Sequence, residues 1–375
     1  MSKPPLTLIP AQIASAADYE AFAREHLDAS AWAYLNSASA DGLTAHDNLV
    51  AFSRLRLRSR VLRPMHNAHT QLTLNGIGCD HPILIAPTAY HALAHPDGER
   101  ATALAAAATH TPMVVSAQSG TQIEELAQSA HPPQLWFQLY PQARREDTLA
   151  LARRAQAAGA RALMLTVDAP VNGIRNAEQR AEFSLPAHVR PVHLDGLPAL
   201  PSHPASPGGS PLFSTGLLDS APTWDDILWL REQVDLPLWL KGIMDPDDAV
   251  RAADSRIDGI VVSNHGGRCL DTVPATISAL PAIAAALDGR IPILLDGGIR
   301  RGTDILKALA LGAQAVMIGR PVLHALAVAG AQGVAHLIQI LRAELEVAMA
   351  LTGCATLKEV DEGVLWNAAL GHDSR

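Results

Sequence analysis

The segment Ile260-Val-Val-Ser-Asn-His-Gly-Gly-Arg268 joins an apolar run to a histidine, two glycines and an arginine. A histidine can take up a proton near neutral pH, and the planar guanidinium of an arginine can bind a carboxylate through two hydrogen bonds. Most of the 16 histidines in the chain are expected to be structural or exposed. At the end of a buried strand and close to an arginine, His265 is instead predicted to act as an acid–base group, with Arg268 as a carboxylate ligand.

Two more charged residues end apolar runs. Asp168 closes Leu165-Thr-Val-Asp168, where its carboxylate could orient an imidazole and stabilise it once protonated. The alternative is an aspartate that caps a turn before Pro170. Lys241 follows Leu238-Trp-Leu, and a lysine buried there needs a negative partner, which is either the charge of a cofactor or a simple ion pair.

A phosphate site is indicated near the end of the chain. Ile293-Leu-Leu-Asp-Gly-Gly-Ile-Arg-Arg-Gly302 runs from a buried strand through glycines into a helix expected near Thr303, and the next apolar run ends in Gly319-Arg320. Glycines let backbone N–H groups approach an anion, and a helix N-terminus adds its positive end. The alternative is two tight turns that need glycine for geometry only. No G-x-G-x-x-G opens the first strand–helix unit, so a Rossmann nicotinamide site has no support.

Apolar runs alternate with Ala- and Leu-rich stretches of helical period through most of the chain. This alternation is typical of a parallel α/β sheet, and eight strands favour a closed (β/α)8 barrel, although an open sheet would show the same pattern. The predicted strands are Ile83–Ala86, Met113–Ser116, Leu135–Tyr140, Ala162–Val167, Leu238–Lys241, Gly259–Ser263, Ile291–Leu295 and Ala315–Gly319. The predicted helices include Gly98–Thr109, Thr121–Ala130, Arg145–Ala158 and Gly302–Leu311.

A single domain is predicted for residues 1–375, with three parts. Residues 1–64 are expected to form a helical extension in which Asp18 is an N-cap, and residues 65–352 form the barrel. Residues 186–222 are rich in Pro, Ser and Gly, as in Pro201-Ser-His-Pro-Ala-Ser-Pro-Gly-Gly-Ser-Pro211. A loop of this length is usually a lid or an insertion, so we expect a mobile cover after strand four.

Composition excludes some classes of function. The 375 residues carry a formal net charge of -8, which argues against a general binder of nucleic acid or of anionic membranes. The three cysteines, Cys79, Cys269 and Cys354, form no CxxC pair, so neither a metal site nor a disulfide framework is predicted. The first residues lack the pattern of a signal peptide, and no apolar run reaches the about 18 residues that span a bilayer. We therefore expect a cytoplasmic protein without a membrane partner.

The chain resembles the FMN-dependent α-hydroxy acid oxidase and dehydrogenase family, which includes glycolate oxidase, lactate oxidase and 4-hydroxymandelate oxidase. The similarity runs from about Tyr19 to Lys358 and is weakest in residues 186–222. It is carried by the motifs Ser263-Asn-His-Gly-Gly-Arg268, Asp296-Gly-Gly-Ile-Arg-Arg-Gly302, His95-Pro-Asp-Gly-Glu99, Phe137-Gln-Leu-Tyr140, Leu165-Thr-Val-Asp168 and Lys241-Gly242.

The resemblance implies that the protein binds FMN and oxidises a small L-2-hydroxy acid to the 2-keto acid. His265 would be the catalytic base, Asp168 its partner, and Lys241 would lie near N1 and O2 of the flavin. The substrate would contact Tyr34, Gln118, Tyr140, Arg175, His265 and Arg268, with Arg268 and Tyr34 on its carboxylate. The flavin ring and ribityl chain would be lined by Pro87, Thr88, Ala89, Ser116, Gln138, Thr166 and Ser263, with Asp296 on the ribityl hydroxyls. The phosphate would be held by Gly298, Arg300, Gly319 and Arg320.

Several positions depart from the family pattern or distinguish its members. Gln118 stands where the family often has an aromatic residue beside the substrate, and a glutamine could bind a polar side chain or enlarge the pocket. Ile174 replaces a common arginine, and Ser37-Ala38-Ser39 replaces a glycine-containing turn. Ala89 stands where oxidases tend to have alanine and some dehydrogenases glycine, which favours an oxidase.

The electron acceptor is expected to be O2, which would yield H2O2. A dehydrogenase that uses a quinone or a protein acceptor is the first alternative. Two further alternatives are a non-redox FMN- or phosphate-binding barrel enzyme and a flavin protein that has lost turnover. Neither would need Tyr34, Arg175, His265 and Arg268 together, so the joint presence of these residues argues against both. No nucleic-acid partner is expected, and the resemblance implies a homotetramer or a larger assembly.

Overall fold

Eight parallel strands close into a barrel in the computed structural model, which describes residues 3–198, 202–205, 207–219 and 221–366. An antiparallel hairpin of β1 (Leu72–Leu74) and β2 (Ile77–Cys79) precedes the barrel. The barrel strands are β3 (Ile83–Ile85), β4 (Met113–Ser116), β5 (Leu135–Leu139), β6 (Leu163–Thr166), β7 (Leu238–Ile243), β8 (Gly259–Val262), β9 (Ile293–Leu295) and β10 (Ala315–Ile318). Because β10 pairs in parallel with β3, the sheet has no open edge, and the predicted (β/α)8 barrel is confirmed.

The strand ends differ slightly from the predicted bounds, and β7 differs for a clear physical reason. The prediction ended this strand at Lys241, whereas it continues to Ile243 through a shift of register. Gly242 lies in this irregularity with a φ of 110°. A Cβ on Gly242 would lie only 2.4 Å from the Cβ of Asp168. The glycine therefore lets the ends of β6 and β7 approach each other.

A layer of eight buried side chains, one from each strand, packs across the interior of the barrel. These side chains are Leu84, Val114, Trp136, Met164, Trp239, Val261, Leu294 and Met317, and all are buried. The rings of Trp136 and Trp239 lie 5.3 Å apart between centroids. Leu74 and Ile77 of the hairpin join the same cluster, so the hairpin closes the end where the strands begin. The barrel is thus a packed core that leaves only its opposite end open to ligands.

Helices surround the barrel and precede it. They are α1 (Ala16–His26), α2 (Ala29–Asn36), α3 (Leu43–Arg54), α4 (Gly98–Ala108), α5 (Ile123–Ala127), α6 (Arg145–Ala157), α7 (Asn176–Arg180), α8 (Trp224–Gln233), α9 (Pro246–Asp254), α10 (Thr276–Leu287), α11 (Gly302–Ala310) and α12 (Arg320–Thr352). The predicted cap of α1 was wrong, because the N-cap is Ser15 and Asp18 lies in the first turn. There the Asp18 carboxylate accepts hydrogen bonds from Ser15 and Ala14, close to the positive end of the helix.

The expectation that no apolar run is long enough to span a bilayer was wrong for α12, which by length and composition could cross a membrane and is the one helix among the described residues that passes this test. Of its most apolar stretch, 78% is buried inside the protein. The helix packs against α1, α4 and α11, and its backbone leaves helical geometry at Ala329 and Gly330. We therefore interpret α12 as a core helix that is interrupted in the middle.

The segment 186–222 contains no helix or strand among its described residues, 186–198, 202–205, 207–219 and 221–222. Its first part is attached to the barrel, since Val189 is buried and the backbone N–H of Val192 donates to the carbonyl of Ser119. The stretch 201–211, on which the prediction of a cover relied, falls partly outside the described residues. The mobility of the segment stays a prediction.

The packing inside the barrel predicts a strong effect of Gly259→Ala. A Cβ at Gly259 would lie 2.4 Å from the ring of Trp239, so the indole would have to move within a filled core. We expect a loss of about 1–3 kcal/mol in the free energy of unfolding, measured as a lower midpoint of urea unfolding. Gly78→Ala is the matched control, because no atom lies within 4 Å of its added Cβ. Equal midpoints for the two variants would contradict this account of the core.

Candidate active site

A cavity of about 880 Å³ opens at the end of the barrel where the strands finish. Most of the predicted site residues line it, although they come from different strands and loops. These residues are Tyr34, Pro87, Thr88, Ala89, Ser116, Gln118, Gln138, Tyr140, Thr166, Arg175, Lys241, His265, Arg268, Asp296, Gly298, Arg300, Gly319 and Arg320. The structure places Asp168 and Ser263 behind this wall, where each contacts a lining residue.

His265 and Asp168 form a hydrogen-bonded pair. Nδ1 of His265 lies 2.8 Å from Oδ1 of Asp168, and this bond favours the imidazole form that has its hydrogen on Nδ1. Nε2 then remains available on the cavity side as a proton acceptor. Burial raises the pKa of Asp168, but the nearby His265 and Lys241 outweigh burial, and the pKa lies below its ordinary value. Asp168 therefore stays a carboxylate that can stabilise a protonated His265.

The two glycines after His265 have a steric function. The backbone of His265 is left-handed, with a φ of 57°, and Gly266 and Gly267 continue with positive φ values. A Cβ on Gly267 would lie 2.6 Å from the backbone nitrogen of Ala45 in α3. The N-terminal helices can approach the turn only because of this glycine, so the H-G-G sequence fixes both the backbone and its neighbour.

Lys241 is a buried cation with partners on two sides. Its Nζ lies 3.1 Å from Oδ2 of Asp296 and donates to Oγ of Ser263 at 2.9 Å. Burial alone would lower the pKa of Lys241, but Asp296 and Asp168 outweigh it and raise the pKa above its ordinary value. The lysine stays charged, and the ion pair considered from the sequence is present. Oδ1 of Asp296 is buried without a partner among the described residues, and it can accept a hydrogen bond from a ligand.

The loops after β9 and β10 form the anion-binding end of the cavity. The backbone N–H of Arg320, the first residue of α12, has no acceptor within the helix, and Gly319 and Arg320 lie at the cavity wall. The guanidinium of Arg320 is itself held by three backbone carbonyls, those of Leu35, Gly266 and Ser37. Burial lowers the pKa of Arg320 to about 9. The side chain of Arg320 therefore has few free donors. Arg320 can interact with a phosphate mainly through its backbone N–H and its positive charge.

A row of polar side chains crosses three neighbouring strands on the cavity wall. Oγ of Ser116 donates to Oε1 of Gln138 at 3.1 Å, and Nε2 of Gln138 donates to Oγ1 of Thr166 at 3.0 Å. This row offers both donors and acceptors to a flat polar ring. Together with the buried cation, the unpartnered Asp296 oxygen and the anion-binding end, it fits the ring, ribityl chain and phosphate of FMN.

Arg268 and Arg175 also line the cavity, together with Glu178, which contacts both. Nη1 of Arg268 donates to the carbonyl oxygens of Tyr34 and Ser37 and to Oγ of Ser37. Nη2 of Arg268 and Nη1 of Arg175 both lie 3.3 Å from Oε1 of Glu178. Glu178 was not among the site residues predicted from the sequence, because only the fold brings the short helix α7 beside both arginines.

Aromatic residues form the wall next to these arginines. Burial raises the pKa of Tyr34 and that of Tyr140 to about 12, so both remain phenols that can donate a hydrogen bond. The ring of Tyr34 stacks on Phe183 at 4.5 Å and lies 6.0 Å from Tyr90. The backbone N–H of Gln118 donates to Oγ of Ser116, and its carbonyl accepts from the N–H of Tyr90. Gln118 also lines the cavity.

Cys269 is a further neighbour that the sequence analysis did not place in the site. Its sulfur and the nearest atoms of Asp168 and His265 all lie within 4.8 Å of one another. Burial and the adjacent Asp168 raise the pKa of the Cys269 thiol to about 12. The thiol is thus neutral beside the histidine–aspartate pair.

The cavity combines an anion site after the last two barrel strands with a buried lysine on its wall. It also brings a histidine–aspartate pair together with two arginines. This combination defines a flavin-dependent oxidoreductase of small anionic substrates. The model of the FMN-dependent dehydrogenase family matches residues 23–367. The chain belongs to this family, and the family expected from the sequence is confirmed.

Named relatives include an L-lactate oxidase from Roseobacter sp. (strain GAI101), 47% identical over 93% of each chain. The L-lactate oxidase from Nostoc sp. (strain PCC 7120) is 48% identical over 93% of this chain and 96% of its own. A peroxisomal (S)-2-hydroxy-acid oxidase from Oryza sativa subsp. japonica is 44% identical over 92% of this chain and 93% of its own. Among solved structures, mandelate oxidase with (S)-2-phenylpropionate gives a TM-score of 0.84 at 38% identity, covering 94% of this chain and 98% of the other. The expected FMN-dependent oxidation of an L-2-hydroxy acid is thereby confirmed as the activity class.

The position of His265 predicts the effect of His265→Ala. The variant should still bind FMN, because His265 is not at the anion-binding end, but it loses the proton acceptor. We expect the rate of flavin reduction by a hydroxy acid to fall by about 10²- to 10⁴-fold, measured by anaerobic stopped-flow absorbance. His110→Ala removes an exposed imidazole far from the cavity and should leave the rate unchanged. Rapid reduction of the His265 variant would exclude the role of base.

The close packing of Gly298 predicts a loss of FMN affinity in Gly298→Ala. Its φ is 95°, and a Cβ there would lie 2.0 Å from the carbonyl oxygen of Asn48, so the loop would have to shift. We expect at least about tenfold weaker FMN binding, measured by fluorescence titration of the apoprotein. Gly159→Ala has a similar φ of 88° with no atom within 4 Å and serves as the control for backbone strain. Equal FMN affinity in both variants would argue against this loop as the phosphate site.

Proposed function

We propose that this protein is an FMN-dependent oxidase that converts an L-2-hydroxy monocarboxylic acid to the 2-keto acid, with O2 as the electron acceptor. The observation that carries the proposal is the His265–Asp168 pair in one cavity with Arg175 and Arg268. A base and a carboxylate site in the same cavity are what the oxidation of a 2-hydroxy acid requires.

Each residue then has a defined task. Arg268, with Arg175 and the phenols of Tyr34 and Tyr140, binds the substrate carboxylate and fixes the position of C2. FMN, when bound, accepts the two electrons that the substrate loses. Nε2 of His265 takes a proton from the substrate, that of the hydroxyl if the C2 hydrogen leaves as a hydride, and Asp168 stabilises the imidazolium that results. The same residues serve whether the C2 hydrogen leaves as a hydride or as a proton.

L-lactate is the first substrate that we propose. Two of the relatives described above are named for L-lactate, and the rice relative is named for (S)-2-hydroxy acids. Apolar side chains of Phe183, Leu185, Leu194 and Leu217 line the cavity and suit an aliphatic substrate side chain. Gln118 on the same wall is the residue that we expect to set the preferred length and polarity of that side chain.

Assembly into a homotetramer or a larger oligomer is a further proposal. It is supported by the family resemblance in the sequence. Light scattering of the purified holoprotein measures the mass directly, and a monomer would contradict it.

Anaerobic titration of the holoprotein with L-lactate, glycolate, mandelate and 4-hydroxymandelate tests the proposed function. We expect L-lactate to bleach the flavin absorbance, and admission of air to restore it with formation of H2O2. Restoration only by a quinone or a protein acceptor would make the protein a dehydrogenase. No bleaching by any acid while FMN remains bound would contradict hydroxy acid oxidation.

A further inference from the structure

We propose that Glu178 determines the charge of the substrates that the cavity accepts and restricts the enzyme to 2-hydroxy acids with a single carboxylate. The inference deepens the proposed function and rests on it. It starts from the position of Glu178, whose carboxylate contacts both arginines predicted to bind the substrate.

The contacts of Glu178 form a charged cluster with little access to water. Oε1 of Glu178 lies 3.3 Å from a guanidinium nitrogen of Arg175 and 3.3 Å from one of Arg268, and Oγ of Ser37 also donates to it. The side chain of Glu178 is 17% exposed, and those of the two arginines are similarly buried. Charges interact more strongly in such surroundings than they do in bulk water.

Glu178 does not use up the donors of the arginines. A guanidinium has five N–H donors. In Arg268, Nη1 donates to Tyr34 and Ser37 and Nη2 to Glu178, whereas Nε has no partner among the described residues. Arg175 donates to Glu178 through Nη1 only, so its Nη2 has no partner in the described part of the chain. A substrate carboxylate can therefore bind both arginines beside Glu178, without displacing it.

The charges of this cluster match one carboxylate. Arg175 and Arg268 contribute two positive charges and Glu178 one negative charge, so the net charge next to the substrate is about +1. Lys241 has its own partner in Asp296 at 3.1 Å, and Asp168 accepts a hydrogen bond from His265 at 2.8 Å and acts on the charge of Lys241. Arg320 shares the Ser37 carbonyl with Arg268 and lines the end of the cavity proposed for the phosphate, whose charge would offset it. One bound carboxylate neutralises the cluster.

A second carboxylate would lack a countercharge. In L-malate, two carbons separate the carboxylates, so the second lies within about 5 Å of the first whichever way the side chain turns. Without a partner, that charge would lose its hydration and would be repelled by Glu178. The cavity should therefore discriminate against 2-hydroxy dicarboxylates by charge, in addition to any selection by size.

Glu178→Gln tests the proposal directly, because glutamine keeps the shape and an acceptor oxygen but removes the charge. The measured quantity is the ratio of kcat/KM for L-malate to kcat/KM for L-lactate in flavin reduction. We expect this ratio to rise by about tenfold or more in Glu178→Gln. Glu178→Asp retains the charge on a shorter side chain, so the ratio should stay close to that of the unmodified enzyme.

A charge-matched control and a binding measurement complete the experiment. Glu182→Gln removes the same charge from an exposed position four residues further along, and should leave the ratio unchanged. Butyrate and succinate have four carbons each and differ by one carboxylate, and their binding can be followed by the shift in flavin absorbance. We expect succinate to bind more tightly relative to butyrate in Glu178→Gln, so that the ratio of the succinate to the butyrate dissociation constant falls. The ratio should not change in Glu182→Gln.

The outcomes separate the two proposals. An unchanged malate-to-lactate ratio in Glu178→Gln, or an equal rise in the glutamine and aspartate variants, would overturn the role of Glu178. If no hydroxy acid reduces the flavin of the unmodified protein, the proposed function fails. The succinate-to-butyrate ratio would then still decide whether Glu178 discriminates by charge.

Discussion

The closure of eight parallel strands is the constraint on which the rest of this structure depends. Because all strands run in the same direction, their carboxyl ends meet on one rim, and residues distant in the chain become neighbours. The opposite end is filled by Trp136, Trp239 and the β1–β2 hairpin, so ligands have access at one end only. Asp168 after β6 and His265 after β8 meet in this way across 97 positions of sequence.

Complementary charges organise that rim. Lys241 is paired with Asp296, His265 with Asp168, and the two arginines with Glu178. Each pair offsets the cost of removing its charges from water, and breaking one would leave a buried charge alone. The directions of the pKa shifts follow from the same pairing, since the lysine stays protonated and Asp168 stays ionised. The histidine is left as the group beside the substrate that can exchange a proton.

Part of this site was readable from the sequence because its chemistry lies in short motifs. The glycines of Asp296-Gly-Gly and of the S-N-H-G-G-R segment occur where a strand ends, and their positive φ values are a local property of these turns. The eight apolar runs were readable for a similar reason, since buried parallel strands are apolar on both faces. The predicted and observed carboxyl ends of the strands differ most in β7. The difference comes from the irregularity in register at Gly242, which the hydrophobic pattern of the sequence does not indicate.

Other features depend on contacts between segments that are distant in the chain, so they could not be predicted from the sequence. Glu178 belongs to a short helix with no hydrophobic pattern, and only the fold brings it between two arginines. Arg320 was predicted as a phosphate ligand, yet its guanidinium is held by carbonyls from α2, the turn after it and the loop after β8. Ser263 was predicted to line the flavin, whereas it lies behind the wall and accepts a hydrogen bond from Lys241.

The sequence by itself determined the family and the alternation of buried strands with helices, and it was enough to propose His265 as the base and the glycine loops as an anion site, because each of these depends on residue type at local spacing. The tertiary structure alone decided which charges face each other, which donors stay available and how the cavity is neutralised. Those properties depend on distances of a few ångströms between segments far apart in the chain, and electrostatic energy is set by such distances and by burial.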